Sequence, residues 1–217
     1  MSRSRWCPPT SSIRTGAACM PDAISPLRGH NEARLAARGE AGVVLTERKL
    51  VSLVQVAAWP DTAEQVTDTV ASLVGCAPPQ LPSGSSGDAE GALLAIAPGR
   101  LLVESRDPQL AARLAEQIGP ELGAVTDLGH ARIAIRIAGP KAAWVLAKGL
   151  ALDLNPAACP PMKVAQSAIH EVGVVLRRLS PDSFDLYVYR GFALSFWDWL
   201  TAAAAETGYR VDPPGSA

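Results

Sequence analysis

The sequence predicts an α+β fold built from two similar halves in one domain. The order strand, helix, strand, strand, helix occurs twice along the chain. Three pairs of residues that mark element boundaries recur at offsets of 80 or 83: Pro60 and Pro140, Cys76 and Cys159, Pro98 and Pro181. An internal duplication of strands that carry helices on one side predicts two ferredoxin-like halves.

The first half opens with two short strands in "VVLTERKLVSLVQVAAW", which a polar turn at residues 47–49 separates. The next segment, "PDTAEQVTDTVASLVG", predicts a helix, because Asp61 and Glu64 have capping-box spacing and Gly75 follows the last apolar position. Residues 76–91 are rich in Pro, Gly and Ser and predict a linker.

Two strands, "ALLAIA" and "RLLVES", and a helix complete this half. Asp107 is the predicted cap of that helix, and Pro108 is its predicted first residue.

The second half begins with "ARIAIRIAG", in which Ile133, Ile135 and Ile137 share one face of a half-buried strand. A helix then runs from Pro140 to Gly149. The strands "VGVVLRR" and "SFDLYVY" follow it, and a last helix ends before Gly208.

The amino-acid composition indicates a globular protein. The 217 residues are 48% hydrophobic and 19% charged, which is typical of a globular domain. No apolar run reaches the roughly 18 residues of a membrane helix, and residues 40–217 are mildly acidic, so neither a membrane nor nucleic acid is an expected partner. The four scattered cysteines form no CxxC pair, which favours a reducing cytoplasm.

Three segments are expected along the chain. Residues 1–38 carry six Arg and predict a poorly ordered N-terminal segment, in which Met20 is a possible true start. Residues 39–210 form the α+β domain, and residues 211–217 form a disordered tail.

The sequence contains no recognisable active site. His170 and Glu171 begin an HExxH-like pair, but Val174 stands where the second histidine is required. Asp153, Asp182, Asp185 and Asp198 have ordinary interpretations as loop, turn or solvated residues. We therefore predict no catalytic, cofactor-binding or metal-binding residue in this chain.

Aromatic residues are concentrated between Phe184 and Tyr209. Helical periodicity predicts that Phe192, Phe196 and Trp199 face the core, as Phe184 does from the preceding strand. A second apolar face remains, and either the fold's own loops cover it or a partner protein does. Its residues are the predicted subunit interface: Tyr187, Tyr189, Arg190, Leu194 and Trp197.

Three segments carry a resemblance to a known family: "SPLRGH" from Ser25, "IAGPKAAWVLAKGLALDL" from Ile137, and "LSPDSFDLYVYRGFALSFWDWLTAAAAETGY" from Leu179. Together they resemble the gamma subunit of heterotetrameric sarcosine oxidase. The sequence departs from the family pattern at Gly191, where Ser is usual, and at Gln166–Ser167, where Gln-Thr is frequent.

The resemblance implies a folate-binding-like fold related to the glycine-cleavage aminomethyltransferase. It also implies a structural subunit without cofactors, whose partners are the alpha, beta and delta subunits. FAD, FMN, NAD, zinc and tetrahydrofolate are then expected in those partners. The alternatives are a free-standing folate-binding or folate-dependent enzyme of the same fold, and a gamma subunit of a related N-methylglutamate dehydrogenase.

Overall fold

A computed structural model describes residues 24–36, 40–80, 82–88 and 90–215. The first half contains eight regular elements: β3 (Ser52–Ala58), a 3₁₀ turn (Pro60–Thr62), α1 (Ala63–Val74), β4 (Ser85–Gly87), β5 (Gly91–Ala97), β6 (Arg100–Ser105), α2 (Leu110–Gln117) and β7 (Gly123–Asp127). The second half repeats the order of strands and α-helices, but its 3₁₀ turn precedes the second helix: β8 (Arg132–Ala138), α3 (Ala142–Ala147), β9 (Val164–Ile169), β10 (Val172–Ser180), β11 (Ser183–Tyr189), a 3₁₀ turn (Arg190–Phe192), α4 (Ala193–Ala204) and β12 (Tyr209–Asp212). Two strands precede both halves, β1 (Arg34–Ala36) and β2 (Val43–Arg48).

The strands form two sheets with related orders. The first is β4-β5-β6-β3-β7, and the second is β1-β12-β2-β8-β11-β10-β9. Strands β9, β10, β11 and β8 therefore repeat β4, β5, β6 and β3, while β2 lies between β8 and the β7 equivalent, β12. Equivalent hydrogen bonds recur as well, from Ala58 N to Gly99 O and from Gly139 N to Asp182 O, both 2.8 Å. The prediction of an α+β fold with a doubled element order is confirmed.

The two sheets pack face to face, and each carries its helices on the outer side. Val54, Val70 and Leu114 belong to the core between the first sheet and α1 and α2. A larger core lies between the second sheet and α3 and α4. A third apolar cluster draws on both sheets and includes Leu94 and Tyr187. Because side chains alternate along a strand, each sheet has one face on its helices and one on the other sheet.

Five local predictions are wrong. Helix α2 begins at Leu110 and no side chain caps it, so Asp107 is not its cap and Pro108 is not its first residue. Glu47 and Arg48 lie within β2 and are buried, so they form no polar turn, and β2 and β3 belong to different sheets. The Asp61–Glu64 capping box is absent, because a 3₁₀ turn leads into α1 and no side chain caps the helix. The "linker" contains the edge strand β4. Strand β8 is covered on both faces rather than half-buried, since the first sheet packs on its second face.

The described part of the N-terminal segment packs on the domain. Leu27 is fully buried, and Ser25 Oγ donates to both carboxylate oxygens of Glu47 at 2.7 and 2.8 Å. At the other end Val211 is buried in β12, so the packed region extends beyond the predicted limits of 39 and 210. Met20 and the rest of residues 1–23 lie outside the described residues, and the predicted disorder of residues 1–38 in isolation stays a prediction.

Within the described ranges, no helix has both the length and the apolar character needed to cross a bilayer.

The C-terminus of α1 gives a first testable prediction. Gly75 has φ +79°, and its N–H donates to Ala71 O at 2.9 Å, as in left-handed helix caps. Replacing Gly75 with alanine is expected to lower the free energy of unfolding by about 1 kcal/mol, because L-residues are strained in this conformation although space for a methyl group exists. Gly191→Ala is the matched control, since that position is equally open and its φ is not positive; equal losses of stability in urea unfolding of both variants would refute the cap.

Candidate interaction surface and buried charge cluster

The predicted interface residues divide between the surface and the interior. Tyr189 and Leu194 are 45% and 41% exposed, and Arg190 is half-buried. Tyr187 and Trp197 are buried inside the domain, so their assignment to a surface is wrong. The other three stay predicted interface residues.

Tyr187 is buried because the first sheet covers its face of β11. The sequence correctly indicates that Asp185, Tyr187 and Tyr189 share one strand face, but the cover comes from β6 rather than from loops. Tyr187 Oη donates to Glu104 Oε2 at 2.7 Å. Burial, together with the negative charges of Glu104 and Asp185, raises the pKa of Tyr187 well above its ordinary value. The phenol therefore stays a neutral hydrogen-bond donor.

Trp197 is buried because it lies on the face of α4 that packs on the second sheet, and this face differs from the predicted one by a rotation about the helix axis. The helix turns five residues onto the second sheet: Ala193, Phe196, Trp197, Leu200 and Ala204. The predicted core residue Phe192 is exposed instead, because it ends the 3₁₀ turn that precedes α4 and is not in phase with the helix. Trp199 is partly buried beside the Phe196 ring, with the two ring centres 5.8 Å apart.

A cluster of buried charges lies between the sheets. Arg48 on β2 contacts both carboxylate oxygens of Glu104 on β6, at 2.9 and 2.6 Å. Arg136 on β8 holds Asp185 on β11 in the same two-point geometry, at 2.7 and 2.9 Å. Arg48 Nη1 also lies 3.1 Å from Asp185 Oδ2, which joins the two pairs. No sequence pattern predicts this cluster. Asp185 is fully buried, whereas the sequence had indicated an ordinary loop, turn or solvated residue.

The cluster is balanced, with two guanidinium groups and two carboxylates, and each carboxylate oxygen accepts a hydrogen bond. Burial alone lowers the pKa of Arg48, but the hydrogen bond to Glu104 and the charge of Asp185 raise it above its ordinary value. Both carboxylates are thus held at two points by a guanidinium, which leaves neither of them an unbonded oxygen to offer to a substrate. Because Glu104 comes from one sheet and the other three groups from the second, the cluster fixes the position of the sheets relative to each other.

The remaining candidates for chemistry lie apart. His170 is exposed at the β9–β10 turn with φ +50°, and its ring stands edge-on to Trp199. Among the described residues, no three His, Cys, Asp or Glu side chains are grouped so that they could hold a metal ion. Burial raises the pKa of the Cys76 and Cys159 thiols, so both favour the unreactive protonated form.

Exposed apolar side chains mark the junction of β11 and α4. Tyr189, Phe192 and Leu194 are 45%, 51% and 41% exposed within six consecutive residues. We call these three residues and Arg190 the junction surface. The guanidinium carbon of Arg132 lies 4.0 Å from the centre of the Tyr189 ring, which fixes that ring in place. Arg190 Nη2 donates to Ile24 O and ties the N-terminal segment to the same place.

Comparison with known proteins gives consistent results. Residues 63–206 match the model of the "Sarcosine oxidase, gamma subunit family". The chain is 29% identical to sarcosine oxidase subunit gamma of Arthrobacter sp over 184 residues, which cover 84% of this chain and 90% of that protein. It is 30% identical to sarcosine oxidase subunit gamma of Corynebacterium sp. strain U-96, over 77% of this chain and 82% of that protein.

Solved structures agree with these matches. A chain of the heterotetrameric sarcosine oxidase from Corynebacterium sp. U-96, solved in complex with pyrrole 2-carboxylate, superposes with a TM-score of 0.72 and 25% identity, over 85% of this chain and 95% of that one. The glycine cleavage system aminomethyltransferase T from Bartonella henselae shares the fold at a TM-score of 0.51 and 18% identity, over 76% of this chain and 50% of that one. The chain belongs to the sarcosine oxidase gamma subunit family.

Proposed function

We propose that this chain is the gamma subunit of a heterotetrameric, flavin-dependent sarcosine oxidase and that it serves assembly rather than catalysis. The main support is the extent of the structural match. This chain superposes on 95% of one chain of an enzyme described as heterotetrameric. The junction surface supports an assembly role, and the carboxylates of the buried cluster are committed to holding the two sheets together.

The finer parts of the proposal follow from the family. The partners are alpha, beta and delta subunits that hold FAD, FMN, NAD, zinc and tetrahydrofolate. The complex oxidises sarcosine to glycine in the cytoplasm, transfers the methyl carbon to tetrahydrofolate and forms hydrogen peroxide. The free-standing folate enzyme has weaker support, since an aminomethyltransferase at 18% identity shares no more than the fold.

The junction surface is the proposed contact with a partner subunit. Tyr189, Phe192 and Leu194 expose large apolar groups, and Arg190 adds a cation beside them. Aromatic residues and arginine are enriched at the buried centres of protein interfaces. Burying this surface against another subunit would remove apolar area from water without changing the fold of this chain.

Co-expression tests the proposal. The tagged full chain is expressed alone and with the flavoprotein subunits encoded in the same genome. Alone, it is expected to be colourless and inactive; with its partners, it is expected to co-purify with flavin absorbance and sarcosine-dependent peroxide formation. Leu194→Asp is expected to reduce co-purification at least about tenfold, because a carboxylate in a desolvated contact costs several kcal/mol.

Leu35→Asp is the matched control. Leu35 is also exposed, on the edge strand β1, and the same substitution there is expected to leave co-purification unchanged. Failure of the wild-type chain to co-purify with any flavoprotein would refute the assembly role. Equal yields of complex from Leu194→Asp and wild type would refute only the assignment of the contact to the junction surface.

A further inference from the structure

A small cavity of about 230 Å³ lies beside the junction surface, where the N-terminal segment, the end of β2 and the start of β8 meet. Four cationic side chains line it: Arg48, Lys49, Arg132 and Arg190. Glu47 contributes one carboxylate, and Leu50 and Ile133 contribute apolar surface. The buried charge cluster touches this cavity through Arg48 alone.

Arg132 is the unusual member of this set. It is 7% exposed, yet its Nε has no hydrogen-bond partner among the described residues. Its Nη1 reaches Tyr187 O at 3.4 Å, a long contact, and its guanidinium stacks on the Tyr189 ring. By contrast, Arg48 and Arg136 are each held by a carboxylate at two points. Burial lowers the pKa of Arg132, because no carboxylate offsets the loss of hydration.

The cavity has an excess of positive charge. Glu104 and Asp185 neutralise Arg48 and Arg136, so those four groups add nothing. Among the described residues that line the cavity, three cations then face the single carboxylate of Glu47, which already accepts hydrogen bonds from Ser25 and Asn31. The excess is three minus one, or two positive charges, on a wall that is partly apolar. A buried guanidinium without a counter-charge is the feature that an anion would correct.

We propose that this cavity binds a carboxylate that carries a short apolar body. A planar guanidinium matches a carboxylate at two points, and Lys49 and Arg190 add charge at the opening. Leu50 and Ile133 favour an apolar group next to the carboxylate over a fully hydrated ion such as phosphate. The carboxylate comes either from a free small acid or from an Asp, Glu or chain terminus of a partner subunit.

Titration of the full chain with sodium propionate tests the proposal against sodium chloride at equal ionic strength. Amide shifts of Gly129 and Ile133, which line the cavity, and the unfolding temperature are the two measurements. Saturable shifts at these amides are expected, with a dissociation constant on the order of 1 mM for so small a ligand. Phosphate is expected to give smaller shifts at the same concentration.

Arg132→Gln is expected to weaken propionate binding at least about tenfold, because the charge-assisted contact is lost. Arg113→Gln removes an exposed arginine on α2 in the other half and is expected to leave binding unchanged. If Arg132→Gln does not fold, the exposed Lys49→Gln, which leaves the interior intact, is expected to weaken binding about two- to threefold. Absence of saturable shifts in the wild type would overturn the proposal, as would equal propionate binding by the wild type and by the arginine or lysine variants at the cavity.

The purified complex identifies the source of the carboxylate. If propionate binds the free chain and the complex alike, the cavity takes a free acid. If the complex excludes propionate and Arg132→Gln weakens assembly, a partner carboxylate fills it. Both results require a carboxylate site, and the measurement on the free chain stands even if the assembly proposal fails.

Discussion

Replacing Asp185 with asparagine is expected to lower the free energy of unfolding by about 3–5 kcal/mol. The asparagine side chain has nearly the same shape, so the loss is mainly one of charge. It leaves Arg136 without a counter-ion and Arg48 with Glu104 alone, in a place where the Asp185 side chain is fully buried. Urea unfolding of the full chain, followed by circular dichroism, measures the change.

Asp212→Asn is the matched control for this prediction. Asp212 forms a two-point pair with Arg210 at 2.7 and 3.1 Å, similar in geometry to the pair of Asp185 and Arg136. Its arginine is about half exposed, so water screens the pair, and the expected loss is much smaller than that of Asp185→Asn. Equal losses for the two variants would mean that the buried cluster does not hold the sheets together.

Replacing Trp197 with alanine is expected to cost about 3–5 kcal/mol, because the indole fills the core between α4 and the second sheet. The variant is expected to unfold at much lower urea concentration whether or not partner subunits are present. Leu194→Ala, three residues earlier on the same helix, is the control. Leu194 is exposed, so its truncation is expected to change the stability of the isolated chain by less than about 1 kcal/mol.

These stability measurements distinguish a core position at Trp197 from a surface position at Leu194. If Trp197→Ala keeps wild-type stability but no longer co-purifies with partner subunits, Trp197 belongs to the interface. That result would contradict the orientation of α4 in which Trp197 faces the second sheet. A large loss of stability in Leu194→Ala would show that the junction surface also belongs to the core of the chain.

Elements with strong local patterns were predictable. Strand β8 alternates isoleucine with other residues, and β5 and β6 are apolar runs separated by Pro98 and Gly99. The short strands β1, β7 and β12 were not predicted, because three to five residues carry little periodicity and take their strand conformation from hydrogen bonds to neighbours. The insertion of β2 between β8 and β12 is a pairing of distant segments that no local pattern specifies.

The sequence indicated the burial of the candidate interface residues only in part, because burial depends on contacts between distant segments. Tyr189 and Leu194 are exposed and Arg190 is half-buried, and these three stay predicted interface residues, while Tyr187 and Trp197 are buried. The sequence places Arg136 and Asp185 in two predicted strands, and only the structure shows that these strands are neighbours, so that the opposite charges pair across them. No sequence pattern indicates that the guanidinium of Arg132 lacks a carboxylate partner, because this depends on which residues surround it in the folded chain.

Local sequence patterns predict the helices and main strands, their doubled order, and large side chains on both faces of β11. The tertiary structure decided what covers the second face of β11. Glu104 lies on the opposite sheet, 83 residues from Tyr187 along the chain, and accepts the hydrogen bond of the Tyr187 hydroxyl on that face. Periodicity reports how many faces an element has, because it depends on the backbone geometry of neighbouring residues. Which face meets water, another sheet or another protein depends on contacts between residues far apart in the sequence, and the folded chain alone sets those.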